Sequence, residues 1–169
     1  MEEDKKYDTE AVKARLEEYV AAEEDIDREI ERLEYLTSKM TSISSQVMTG
    51  MPRATSASTD RMADMLGRKE ELEESIKASV AKQAEERKSI EKIIRHLSSS
   101  EERAVIRLRY LDRTDWNDVL EVMFGLKPDF DDKFESYRRR MYRSHGTALI
   151  NMAKYIKESG EPNTAISTT

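Results

Sequence analysis

Apolar residues recur with alternating spacings of three and four between about Thr9 and Val47. The same series contains two polar positions, Glu23 and Thr37. Apolar residues at two positions of every heptad form a narrow seam along an α-helix, and such a seam faces a partner helix. The pattern therefore predicts one long helix. Its apolar seam residues are Leu16, Tyr19, Ile26, Ile30, Leu33 and Met40.

A second segment with the same spacing runs from about Asp60 to Leu97. Residues 48–59 separate the two segments and contain Gly50 and Pro52, which interrupt a helix. Two helices of similar length joined by a short polar loop are expected to fold back antiparallel. The predicted seam of the second helix comprises Met62, Met65, Leu72, Ile76, Ile90, Ile93 and Leu97, interrupted by the polar residues Lys69, Ser79, Gln83 and Glu86.

This half, residues 1–97, is thus predicted to be a coiled-coil helical hairpin with its loop at about 48–59. In that hairpin Ile30 would lie level with Ile76, and an acid at Ile30 would unfold the pair. The polar seam positions make two helices alone a marginal structure, because a buried polar group without a partner is costly. The half is therefore typical of a structural spacer or an oligomerisation arm.

The pattern changes at residue 98, where shorter amphipathic helices begin. Serine followed three residues later by glutamate forms a capping box, either Ser98 with Glu101 or Ser99 with Glu102. The sequence also predicts where the later helices begin and end. The predicted ends comprise Thr114 as the N-cap of a helix over Asp115 to Phe124, Gly125 as a left-handed helix end, and Asp131 or Asp132 as the N-cap of a long last helix. We expect a second domain at 98–158 and a disordered tail at 159–169.

Composition supports an all-α fold and narrows the chemistry. Charged residues make up 38% of the 169 residues, and there are only 5 Gly and 3 Pro, which suits long helices. Cys is absent, which excludes disulfides, thiolate metal sites and cysteine catalysis. The two histidines, His96 and His145, fall in different predicted units, and no Gly-rich phosphate loop occurs. The sequence therefore predicts no enzyme, no catalytic residue, no cofactor and no metal site.

The chain ends differ in ways that bear on location and partners. No apolar run reaches the length of a membrane span, and the start is acidic, without the apolar core of a signal peptide, so we expect a cytoplasmic protein. The net charge is −6, but residues 2–34 are strongly acidic, whereas Tyr137 to Lys157 contains no acidic residue. A local basic stretch attracts a polyanion despite the net charge, because screening makes binding local.

Two short helices followed by a basic helix predict a helix-turn-helix, in which the last helix lies in the major groove of duplex DNA. Arginines at such a position can form paired bonds to phosphate or guanine. The predicted core of the motif is Tyr110, Leu111, Trp116, Val119, Leu120 and Met141. The predicted DNA-contacting residues are Lys133, Tyr137, Arg138, Arg139, Arg140, Tyr142, Arg143 and His145.

Residues 98–156 resemble region 4 of bacterial sigma factors. The resemblance lies in residues 100–111, in Asp115-Trp116 and in residues 142–149. The combination of Arg-Tyr-Leu, Trp and His-Gly-x-Ala-Leu is similar to phage late-transcription regulators of the ArpU or RinA type, which also have a helical N-terminal half with a Met-Pro loop. The connector at 126–135 is longer than the usual turn of the family.

The resemblance implies a transcriptional regulator of phage or prophage origin, acting on late genes in the bacterial host cell. Its partners would be double-stranded DNA, host RNA polymerase as a candidate and a second copy of the chain, with a dimer favoured. Two alternatives stay open at this level. One is a small-terminase-like DNA-packaging subunit, which would assemble as a ring; the other is a coiled-coil scaffold that binds only protein.

Overall fold

The computed structural model describes residues 7–47 and 55–161, which form five α-helices and no strand. The all-α fold class is confirmed for these residues. The helices are α1 (Thr9–Val47), α2 (Thr55–Arg95), α3 (Ser100–Ile106), α4 (Trp116–Phe124) and α5 (Phe134–Ser159), and α3 continues into a π-helical turn at Arg107–Leu111. None of the helices in the described ranges combines the length and the apolarity that crossing a membrane requires.

The predicted bounds of α1 agree with the structure, but the predicted loop is too long. Residues 55–59 already belong to α2, because residues 53–66 contain no Gly or Pro to interrupt the helix. Gly50 and Pro52 themselves lie outside the described residues. At the other end of the chain Ser159 is helical and Gly160 ends α5 in the left-handed conformation, with φ 69°. The remainder of the predicted tail, 162–169, also lies outside the described residues.

The chain divides into two units, and α1 and α2 each contribute to both. Within the described residues, one unit contains 7–21 and 84–161, and the other is Ala22–Gln83.

The predicted seam of α2 agrees with the burial of its side chains. Every predicted seam position from Met62 to Ile93 is buried or half-buried, including the polar residues Gln83 and Glu86.

On α1 the buried stripe differs from the prediction at two positions after Ile26, while the predicted seam residues Leu33 and Met40 are half-buried. Ile30 is 38% exposed and Thr37 is exposed, whereas Glu29 and Leu36 are half-buried. Neighbouring residues such as 29 and 30 point in directions about 100° apart and flank the same seam on opposite sides. Because isoleucine is apolar, the sequence pattern predicted that Ile30 would be buried. In the structure Glu29, on the neighbouring side of the helix, is the more buried of the two residues. Its Oε2 atom is buried without a hydrogen-bond partner among the described residues.

The unit with α3, α4 and α5 has one continuous apolar core. The start of α1 contributes Val12, Leu16 and Tyr19, and the end of α2 contributes Ile90, Ile93 and Ile94. These side chains pack with buried residues of the three later helices, so the domain boundary predicted at 97/98 lies inside this core. The later helices contribute Val105, Ile106, Val119, Leu120, Phe124, Met141, Ala148, Leu149, Met152, Ala153 and Ile156.

A buried ion pair joins α1 to α2 beside this core. Arg15 Nε lies 2.6 Å from Glu86 Oε1, and Arg15 Nη2 donates to Ser89 Oγ at 2.8 Å. Both charged side chains are almost fully buried. The first turns of α1 therefore contact the last turns of α2, as expected if the second helix returns antiparallel to the first.

Three of the predicted helix ends need correction. The N-cap of α4 is Asp115 rather than Thr114, because the Asp115 carboxylate reaches the amides of residues 117 and 118 at 2.9 and 3.3 Å. Lys133 occupies the N-cap position of α5, and its side chain makes no capping hydrogen bond, so neither Asp131 nor Asp132 is the N-cap. Gly125 is right-handed, with φ −57°, since the chain continues through further turns after α4.

The capping box at α3 is resolved in favour of Ser99. Its Oγ accepts from the Glu102 amide at 3.5 Å, which is half of the reciprocal pattern. The Glu102 carboxylate accepts from Asn151 Nδ2 at 3.0 Å instead. The acid of the predicted box therefore joins α3 to α5.

Candidate nucleic-acid interface

The basic helix α5 packs with one face and exposes the other. It contacts α3 and α4 through buried residues that include Met141, Leu149 and Met152. Residues four positions apart lie on the same face of a helix, and Arg139 and Arg143 are both exposed. They therefore share the exposed face of α5. The residues predicted as the core of the motif lie inside: Tyr110, Leu111, Val119, Leu120 and Met141 are buried and Trp116 is half-buried.

The long connector before α5 is fixed to that helix by Asp129. Its carboxylate accepts from Lys133 Nζ at 2.7 Å and from the Tyr137 hydroxyl at 2.8 Å. The hydrogen bond from Lys133 is the main cause that holds the pKa of Asp129 below its usual value. The Tyr137 ring also stacks on Phe124, with 5.0 Å between centroids. These contacts join the connector, α4 and the first turns of α5.

Several of the predicted DNA-contacting cations are matched by carboxylates. Arg138 Nη1 lies 3.2 Å from Glu135 Oε1 within α5. Arg140 forms a two-point bond to Glu101 of α3, with Nε···Oε2 at 3.1 Å and Nη2···Oε1 at 2.5 Å. The hydrogen bond to Glu101 is the main cause that raises the pKa of Arg140 further.

These pairs correct one step of the sequence argument. The stretch 137–157 lacks acids, but the absence of acids nearby in sequence does not leave all of its arginines without an acidic partner. For the arginines of this stretch the acids come from outside it: Glu101 from α3 binds Arg140, and Glu135 from the first turn of α5 binds Arg138. A search limited to neighbouring sequence positions could find only the last of these.

Arg139 and Arg143 differ from their neighbours. Both are exposed, they lie one helical turn apart, and neither guanidinium has an ion-pair or hydrogen-bond partner within 7–47 and 55–161. They line a shallow groove on the surface of α5 together with Glu135, Ser136 and Arg140. Two cations without an internal partner can engage an external anion without first breaking a bond within the protein.

The remaining predicted contact residues have internal roles. His145 Nε2 lies 3.0 Å from the Tyr110 hydroxyl, and its ring packs edge-on to Trp116 at 5.0 Å between centroids. Burial, followed by the positive charges of Lys13 and Arg109, lowers the pKa of His145 to about 4. His145 is therefore neutral at pH 7.

Tyr142 is exposed at one edge of the same cluster, and its ring lies 5.1 Å from that of Trp116. Arg109 also lies over Trp116, with its guanidinium carbon 5.2 Å from the ring centroid. The aromatic cluster thus fixes the middle of α5 against α4 and the turn that follows α3.

Three side chains at or beside the groove were missed by the sequence reasoning: Glu101, Glu135 and Ser136. Glu135 could have been found from its three-residue spacing to Arg138, which places both on one helix face. Glu101 could not, because 39 positions separate it from Arg140.

Comparison with family models, with curated proteins and with solved structures finds no match to this chain. In the part of the chain that the structure describes, no group of three or more His, Asp or Glu side chains is placed to hold a metal ion.

Proposed function

We propose that the chain is a sequence-specific DNA-binding regulator of transcription whose helix α5 contacts duplex DNA. The observation that carries this proposal is the pair Arg139 and Arg143, exposed one turn apart and without internal partners. Guanidinium groups bind phosphate oxygens through charge-assisted, often paired hydrogen bonds. Such contacts position a protein on the duplex, and neighbouring side chains then reach base edges.

The proposed DNA-binding domain is a helix-turn-helix in which α4 supports α5 from behind. Val119 and Leu120 of α4 are fully buried, and Trp116 packs against the middle of α5. The anchored connector replaces the short turn of the usual motif and holds the first turn of α5. A sigma region 4-like arrangement is the finer form of this proposal.

The proposed N-terminal part is an antiparallel coiled-coil hairpin of α1 and α2. The buried stripe of α2 and the Arg15–Glu86 pair support it. A hairpin that pairs two copies would link two DNA-binding domains, and linked sites gain affinity through effective concentration. A dimer is therefore the proposed assembly, and a ring of many subunits would favour DNA packaging instead.

The family resemblance directs this proposal to late-gene control by a phage or prophage. Regulators of that type act in the cytoplasm of the bacterial host, and host RNA polymerase is the proposed protein partner. Gene position would test this part: a location just upstream of packaging and capsid genes agrees with late control.

The DNA-binding proposal is tested with the full chain and a labelled random duplex of about 20 base pairs. Binding of the parent should weaken steeply with salt, with a log–log slope near −0.9 per phosphate neutralised. Replacement of both free arginines (Arg139→Ala with Arg143→Ala) should abolish binding and leave helicity unchanged, because neither guanidinium has a bonded partner within the described residues.

A matched control removes two positive charges elsewhere. Lys77 and Lys82 are exposed on α2, and their double replacement by Ala changes the net charge equally. This control should bind DNA like the parent. Equal binding by the arginine double variant and the parent would remove the proposal.

A further inference from the structure

One arginine of the groove on α5, Arg140, is paired with the carboxylate of Glu101. This carboxylate lies on α3, a different helix from the groove, and binds Arg140 through both of its oxygens. Its Oε2 also accepts from Ser144 Oγ at 3.3 Å, one turn beyond Arg140 on α5. Three hydrogen bonds therefore hold Glu101 to the basic helix.

The pair changes what the groove offers to an anion. Arg140 lines the groove beside Arg139 and Arg143, but the Glu101 carboxylate compensates its charge, with Nη2···Oε1 at 2.5 Å. Nε and Nη2 form the side-on edge of the guanidinium, one of the edges through which it can bind a phosphate with two donors, and Glu101 accepts from both nitrogens. If a phosphate displaced Glu101 from Arg140, the Glu101 carboxylate would remain close to the negatively charged phosphate, and the two would repel each other.

We propose that Glu101 is a specificity-determining residue: by engaging Arg140, it limits the groove to two free guanidiniums and suppresses sequence-independent binding. This inference rests on the proposed function and deepens it. Non-specific affinity grows with each phosphate that is neutralised, whereas base contacts carry the discrimination between sequences. The loss of one phosphate contact therefore changes the discrimination between sequences little. It weakens binding to the many random sites that compete with a specific site.

The test measures binding of the full chain to the random duplex across a salt series. Glu101→Gln should bind about three- to tenfold more tightly than the parent near 0.1 M salt, with a log–log slope steeper by about 0.9, which is one additional phosphate. Arg140→Ala alone should not strengthen binding, since the engaged arginine contributes no phosphate contact and its removal leaves the Glu101 carboxylate without its cation near the groove. In the double variant, Arg140→Ala should cancel the whole gain of Glu101→Gln.

Two further variants separate this effect from charge and from folding. Glu91→Gln also frees an arginine paired between two elements, because Glu91 Oε2 binds Arg107 Nη2 at 3.0 Å, but Arg107, unlike Arg140, does not line the groove. It should bind like the parent. Glu101→Asp keeps the net charge but shortens the side chain, so it should show a smaller gain, and thermal unfolding checks that each variant is folded.

The outcomes distinguish this inference from the proposed function. If Glu101→Gln binds no better than a parent whose binding depends on Arg139 and Arg143, the role of Glu101 is overturned and DNA binding stands. If its gain persists in the double variant with Arg140→Ala, Glu101 does not act through Arg140 and the inference is again overturned. If neither the parent nor Glu101→Gln binds, both proposals fail.

Discussion

Residues 22–83 and the unit that contains α3, α4 and α5 bury their side chains to very different degrees. Among the described apolar residues of 22–83, Ile26 and Leu72 are each 8% exposed, while Leu66 and Val80 are almost half exposed. In the other unit many apolar side chains are fully covered, including Ile94 at 0%. Leu66 and Val80 lie off the predicted seam, but the seam residue Ile30 is 38% exposed as well. A heptad pattern therefore predicts that a helix forms, but it does not predict how well every seam position is covered.

The largest expected contrast concerns ion pairs. Glu86→Ala should lower the free energy of unfolding by about 3–5 kcal/mol, because it leaves the Arg15 charge buried. The matched change in the other unit is Glu73→Ala, which breaks the partly exposed pair with Lys69 at 3.3 Å and should cost less than about 1 kcal/mol. Urea unfolding followed by circular dichroism measures both, and equal losses would contradict the difference in burial.

An identical substitution in each unit gives the next contrast. Ile94→Ala should cost about 2–5 kcal/mol, since it opens a cavity in a fully packed core. Ile30→Ala should cost less than about 1 kcal/mol, since the side chain is already 38% exposed. The same urea titrations report both values. A loss at Ile30 as large as that at Ile94 would mean that residue 30 is covered in solution, as the heptad pattern first predicted.

The smallest expected effect is a pH dependence confined to one unit, because 22–83 contains no histidine. The pKa of His145 is about 4 in the folded chain and about 6.5 when unfolded, so the unfolded state binds more protons between these values. The stabilisation is complete above about pH 6.5 and declines as the pH falls toward about 4.

Between pH 6.5 and 5 the parent should lose on the order of 1 kcal/mol more than His145→Gln, a difference that thermal unfolding at the two pH values can resolve. His96 is present in both proteins, so its contribution cancels. Identical pH profiles would show that protonation of His145 is not linked to folding.

Much of the helical architecture could be predicted because it depends on local pattern. The bounds of α1 and the seam of α2 follow from period alone, and the cap at Ser99 from a local motif. Which flank of α1 is covered could not be predicted, because Glu29 and Ile30 lie equally close to the seam. The conformation of Gly125 depends on the turns that follow it, which no residue type specifies uniquely.

The candidate interface could be predicted only in part, for a related reason. The position of the basic residues on α5 is local, so Arg139 and Arg143 were found from sequence. Whether a given arginine is free depends on acids that tertiary structure brings to it, as Glu101 is brought to Arg140. Likewise His145 was predicted as a DNA contact, but in the fold its half-buried ring contacts Tyr110 and Trp116.

The continuous core also constrains how the chain can fold as it is synthesised. Val12 and Leu16 belong to the same core as Met152 and Ile156, so parts made first must wait for parts made last. Contacts between distant positions form slowly, because the intervening chain must be ordered before they contribute. While a ribosome is still making α5, the start of α1 has no complete core to join. The apolar surface that stays exposed on such a nascent chain can bind chaperones or misassemble. The helices α1 and α2 can form before this core is complete.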